Sequence, residues 1–348
     1  MWTRRVMAAL LTAPVVVGLL LTAMPAAQAA PDPALTVTDV DLGRTTVAVS
    51  GLNLAPVTLT VKAKYTGESS GSTLFVVLER QTGSGWPSTL LSSLLPLKSG
   101  TVQDGVWEGP VYVPSTANGT FKVTGVQFGQ YPFPGDFSEP TPYAGPTLAV
   151  SGYHLPKITA SVSPRVVPVG SPYSIRWAVT DAATGRPYGS RITVLLAVDN
   201  GCAEDAGGDV VRTDTNGVVT KSYTAADADW VNCLRITGKP IDITGMGFGV
   251  ARSTYVTAAP SKASAPVGTV VPVNGAVGGA PSNCKVWLQR LYGATQWRSV
   301  SSNAVRLSGR FTVNAQPAYR GLIPYRVYFP ACRNMQAVAS KVFYIRGL

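Results

Sequence analysis

Alternation with a period of two dominates the chain. In "VTLTVKAKY" the apolar Val57, Leu59, Val61, Ala63 and Tyr65 are separated by Thr58, Thr60, Lys62 and Lys64. This pattern puts one side of an extended strand in a core and the other in water. Similar runs recur as "STLFVVLER", "DGVWEGPVYVP" and "NGTFKVTGVQFG", then "ITASVSP", "YSIRWAVTD", "RITVLLAVD", "NCLRIT" and "GVARSTYVT", and finally "KVWLQRLY", "YRVYF" and "KVFYIR". Glycine, proline or Asn-Gly signals punctuate them, and long stretches with a helical period are missing. The expectation is an all-β protein of many short strands.

Length and punctuation divide the runs into units. Residues 1–30 open with Arg4 and Arg5, continue through "VMAALLTAPVVVGLLLTAM" and end on "AAQAA". This reads as a secretory signal peptide cleaved after Ala27, Ala29 or Ala30. No later segment approaches the roughly 20 apolar residues of a membrane span. The remaining 318 residues suit two or three domains of roughly 100–150 residues. The runs group into an N-terminal β-sandwich at 31–154, a second domain at 155–258 after the link "YHLPK", and a third at 259–348 from "AAPSKASAPVG".

Two stretches carry a resemblance. "PVGSPYSIRWAVTD" followed by "TDTNGVVTKSY" resembles bacterial immunoglobulin-like domains, in which a Thr-Asp-x-Asn-Gly hairpin precedes a strand of alternating threonine and apolar residues. The third unit, through "KVWLQR", "QWRSV", "GRFTV" and "YRVYFPAC", is similar to an immunoglobulin-like module of secreted proteins from high-GC Gram-positive bacteria. The resemblance implies three tandem immunoglobulin-like β-sandwiches. It specifies a fold far more than a function, because such sandwiches serve as spacers, adhesins and accessory domains alike.

The four cysteines, Cys202, Cys233, Cys284 and Cys332, allow three pairings. Export favours disulfides, and joining Cys202 to Cys233 and Cys284 to Cys332 keeps each bridge inside one domain. In an immunoglobulin-like sandwich the third and sixth strands are antiparallel neighbours, so the end of one lies beside the start of the other. Both pairs meet that condition, at opposite ends of the strands.

Candidate chemistry is sparse. No Cys-x-x-Cys spacing occurs, and the single histidine, His154, falls in a linker. Lys262 in "PSKAS" and the glycines of "TGMGFGV" match no catalytic or phosphate-binding motif. The acidic stretch holding Asp199, Glu204, Asp205, Asp209 and Asp214 invites a calcium reading, but it lacks an acid at the twelfth position of a calcium loop, and turns alone favour these residues. The expectation is no enzymatic activity, no cofactor and no metal.

Charge changes the picture. The whole chain has 29 Lys and Arg against 18 Asp and Glu, and removing Arg4 and Arg5 leaves a net charge of +9. Asp242 is the last acid. Residues 259–348 hold eleven cations and no acid, whereas the preceding mature chain sums to −2. Solubility alone is served by mixed charges, so a one-sign domain points toward an acidic polymer or surface. If Val286, Val327 and Ile345 face the core, alternation turns Trp287, Arg326, Tyr328, Tyr344 and Arg346 onto one exposed outer sheet face. Aromatics among cations suit stacking and anion attraction, although the same residues also stabilise a sheet without any ligand. The functional expectation is a secreted, extracellular structural or adhesive protein that contacts an anionic cell-wall polymer through its third domain. The alternative is a carbohydrate-binding module or accessory inhibitor that uses the aromatic face.

Overall fold

The computed structural model describes residues 31–67, 71–129, 140–199, 202, 207–279 and 282–348. The expected signal segment, Glu204 and Asp205 lie outside them. Regular structure among the described residues is strand, apart from one 3-10 turn at Ala226–Asp229. No helix among them is long and apolar enough to cross a membrane. The chain builds tandem immunoglobulin-like β-sandwiches, with three separate clusters of buried apolar residues.

In the first unit the strand Leu54–Tyr65 buries Val57, Leu59, Val61, Ala63 and Tyr65, the parity its sequence demands. It lies between Leu35–Leu42 and Asp104–Pro114. The second layer is built on Thr73–Ser84 paired with Asn118–Phe128. Leu95–Thr101 joins the layers, pairing with Thr73 and Leu74 at its start and with Asp104–Trp107 from Leu97 onward, across a bulge between Leu97 and Ser99. Trp107 fills the interior at 0% exposure, and its indole N–H donates to the Ser72 carbonyl at 2.8 Å.

The second unit packs the sheet of Pro156–Ser163, Tyr173–Asp181 and Val218–Tyr223 against that of Asp209–Arg212, Thr193–Asp199, Val231–Ile236 and Thr244–Phe248. Tyr173, Ile175, Trp177 and Val179 point inward. The "TDTNG" segment is a tight turn: the Asp214 carboxylate accepts from the backbone N–H groups of Asn216 (2.9 Å) and Val218 (2.8 Å). Gly217 has φ +74°, and a Cβ there would sit 2.2 Å from the Val179 carbonyl oxygen. Only glycine meets both conditions without strain.

In the third unit Val256–Pro260, Val271–Val277 and Arg310–Ala315 form one sheet. Ser264–Ala265, Phe343–Gly347, Gly321–Phe329, Lys285–Tyr292 and Gln296–Ala304 form the other, in that order. The expected division at 258/259 cuts through Val256–Pro260, which pairs with Val273–Val277 and buries Val256 in the third core. That sandwich therefore starts at Val256. The alternating pattern runs through "YVTAAP" without a break, so proline and glycine placement set the expected boundary slightly late.

Both local disulfides are present, Cys202–Cys233 with Cα atoms 5.5 Å apart and Cys284–Cys332 at 6.1 Å. Each bridge joins residues near or beyond the ends of two antiparallel neighbours, Thr193–Asp199 and Val231–Ile236 in the second sandwich, Lys285–Tyr292 and Gly321–Phe329 in the third.

The junctions are specific. Leu52 and Leu54 pack against the second core, and the Thr116 hydroxyl donates to the Ile243 carbonyl at 2.7 Å. His154, with φ +50°, places Nδ1 2.8 Å from the Asp181 carboxylate, and its carbonyl accepts from the Tyr188 hydroxyl at 2.5 Å. The linker histidine is thus a junction residue. At the other junction Asn334 inserts between units: its carbonyl accepts from Arg252 N–H at 2.8 Å, and its amide donates to the Ala228 carbonyl at 2.6 Å.

Candidate binding face of the third sandwich

Pairing in the third unit is set by three long antiparallel strands. Trp287 lies opposite Tyr328, Gln289 opposite Arg326, Pro324 opposite Tyr344, and Leu322 opposite Arg346. Val286, Leu288, Ile323, Tyr325, Val327 and Ile345 fill the interior at 0% exposure. Strand parity then sends their neighbours outward. The structure brings Trp287, Arg326, Tyr328, Tyr344 and Arg346 onto one side of one sheet. Trp287 is 38% and Tyr344 55% exposed, so the second sandwich does not cover them.

Arg326 departs from the expected free, exposed cation. It is half-buried, its guanidinium carbon lies 4.4 Å from the Trp297 ring centroid, and its Nε donates to Gln289 Oε1 at 2.8 Å. Trp297 and Gln289 therefore belong to the face. Sequence reasoning missed Trp297 because its strand carries a bulge opposite Leu288 and Gln289, which shifts the register. The usable signal was the hairpin itself: Trp297 pairs with Leu291, which shares the parity of Trp287 and Gln289.

A second cation–aromatic group occupies the end of the same hairpin. Arg290 lies 4.4 Å and Arg298 5.0 Å from the Tyr292 ring centroid, and Arg290 also donates to the Tyr292 hydroxyl. Below, burial raises the Tyr325 phenol's pKa, and its hydroxyl donates to the Gln316 carbonyl at 3.0 Å. Among the described residues no ion pair involves the third unit; every ion pair lies in the first two, as in Lys62–Asp39 and Arg235–Asp242.

The described acids of the acidic stretch are engaged separately. Asp209 pairs with Lys221 at 2.7 Å, Asp214 holds its turn, and Asp199 accepts from the Cys202 N–H. Among the described residues the one convergent set of metal-ligand types is Asp199, Cys202 and Cys233, and its sulfurs are joined in a disulfide. The glycines of "TGMGFGV" lie largely within the strand Thr244–Phe248. Lys262 lies between the strands Val256–Pro260 and Ser264–Ala265.

No protein-family model matches the sequence, and no curated protein matches it. Among solved structures, the chain is similar to the Yersinia pseudotuberculosis adhesin InvE, with 13% identity and a TM-score of 0.32 over 55% of this chain and 58% of that one. The chain thus spans less than two thirds of that adhesin's length. It is also similar to the Escherichia coli adhesin FdeC (14% identity, TM-score 0.26, 90% of this chain and 99% of that one). An ICAM-5 D1–D4 ectodomain fragment matches at 11% identity with a TM-score of 0.32, over 89% of this chain and 77% of that one. The class of the chain, tandem immunoglobulin-like β-sandwiches, rests on its own sheets.

Proposed function

We propose that the protein is an extracellular, non-catalytic adhesive protein whose first two sandwiches hold the third against an anionic cell-envelope polymer. The observation that carries this reading is the uncompensated charge of the third unit: eleven cations, no acid, and aromatic rings where carboxylates would ordinarily stand. Arg346 and Tyr344 are exposed on the outer face beside the Arg326–Trp297 pair. Two disulfides fit an oxidising compartment.

Binding of the mature protein to teichoic-type polymers and to neutral glycans, measured at low and high salt, tests the proposal. Polymer binding that falls steeply with ionic strength supports it. Salt-independent binding to neutral glycans favours the second reading, sugar stacking on Trp287 and Tyr344, which the engagement of Arg326 with Trp297 and Gln289 also favours.

A further inference from the structure

Away from that face, the junction of the second and third sandwiches forms a half-open cleft of about 410 Å³. This lies within the ~300–1,000 Å³ range of small-ligand pockets. Trp230, on one side of the junction, is 49% exposed, and Met335 from the other unit is buried. Gly249 and Gly279 contribute bare backbone to the lining.

The polar groups in the cleft are unevenly used. Asp229 is paired with Arg252, which is itself 4% exposed, while the Asp229 side chain remains 58% exposed, its second oxygen bonded to none of the described residues. Asn334 spends its amide N–H on the Ala228 carbonyl, which leaves its side-chain oxygen as an acceptor. Arg333 is exposed, has no ion-pair partner among the described residues and adopts φ +56°, a left-handed conformation uncommon for a side-chain-bearing residue. With Asp229 neutralised by Arg252, the described lining of the cleft keeps one uncompensated positive charge, on Arg333.

We propose that this cleft binds a pyranose ring that bears a carboxylate. A flat indole suits the apolar face of a sugar ring. The guanidinium of Arg333 suits a carboxylate. The open acceptors on Asp229 and Asn334 require hydroxyl donors, which a sugar supplies and a simple aromatic acid lacks. The site is independent of the outer face of the third sandwich and does not rest on its polymer binding.

The test is titration of the intact mature protein with sodium D-glucuronate, D-glucose and benzoate, followed by ligand-observed NMR at constant ionic strength. Glucuronate should bind saturably, and glucose should bind at least about tenfold more weakly, as expected for loss of one charged hydrogen-bonding contact. Arg333→Asn, chosen because asparagine tolerates the left-handed backbone, should reduce glucuronate to the level of glucose. Trp230→Ala should weaken both sugars. Absence of saturable glucuronate binding overturns the proposal, as does benzoate binding as tightly as glucuronate. Unchanged binding in the Arg333→Asn protein, with its unfolding temperature retained, overturns it equally.

Discussion

The guanidinium of Arg326 lies 4.4 Å from the ring of Trp297, two strands away across the sheet, while its Nε donates to Gln289 on the strand between them. The pair ties three strands of the third sandwich together on their outer side. Arg326→Ser alone is therefore expected to destabilise the domain by about 0.5–1 kcal/mol, the range of a partly exposed cation–π contact. Thermal unfolding of the variant beside Trp297→Ala checks this, and the double variant should cost less than the two single changes added together.

Arg346 is exposed and makes no ion pair among the described residues. Arg326→Ser combined with Arg346→Ser should preserve the fold, weaken binding to an anionic polymer and reduce the dependence of log K on log salt by roughly one unit per lost contact. Binding isotherms at four salt concentrations give the slope. Unchanged affinity and slope would exclude this face as the polymer contact.

Peptide mapping without reduction should recover Cys202 linked to Cys233, Cys284 linked to Cys332 and no free thiol. Chain-entropy arguments assign each link roughly 4 kcal/mol for loops of this length. Replacing Cys284 and Cys332 by alanine should lower the unfolding temperature of the third sandwich. It should also raise hydrogen exchange at Arg252, whose N–H donates to Asn334 just beyond Cys332.

Asp181 links pH to the first junction. Burial pushes its carboxyl pKa up, but hydrogen bonds from His154, the Ala183 N–H and Thr184 outweigh this, and the net shift is downward from the ordinary 3.8. A depressed acid stabilises the fold fully above its unfolded value and loses that contribution as pH falls through the folded one. Acidification below about pH 4 should therefore weaken the junction. Asp181→Asn should lower the unfolding temperature at neutral pH and flatten its decline in acid, as read by calorimetry across pH 2–7.

Gly217→Ala should destabilise the second sandwich by more than about 1 kcal/mol, because the new Cβ meets both a left-handed backbone and the Val179 carbonyl. Chemical denaturation checks it, with Gly170→Ala, which has positive φ but open space around its Cβ, as the milder comparison.

Much of the architecture was legible along the chain. The runs around Val57, Ile175 and Val327 alternate because a strand exposes its two sides in turn, so inward and outward parity followed from residue order alone. The same parity separated Trp287 and Tyr344 from the core, and cysteine position relative to the third and sixth strands marked both disulfides. Charge is additive along a chain, so the all-cationic third unit was also visible at once.

Contacts between strands and between units depend on register and docking, which no local pattern encodes. A bulge opposite Leu288 and Gln289 decides where the neighbouring strand places Trp297, and hence that Arg326 stacks on a ring. The start of the third sandwich at Val256 follows from its pairing with Val277, because an uninterrupted alternation is equally compatible with either neighbouring unit. His154 meets Asp181, and Trp230 shares a cleft with Arg333, through packing between sandwiches. Those partners are 27 and 103 positions apart in the chain, and only the folded surfaces bring them within reach.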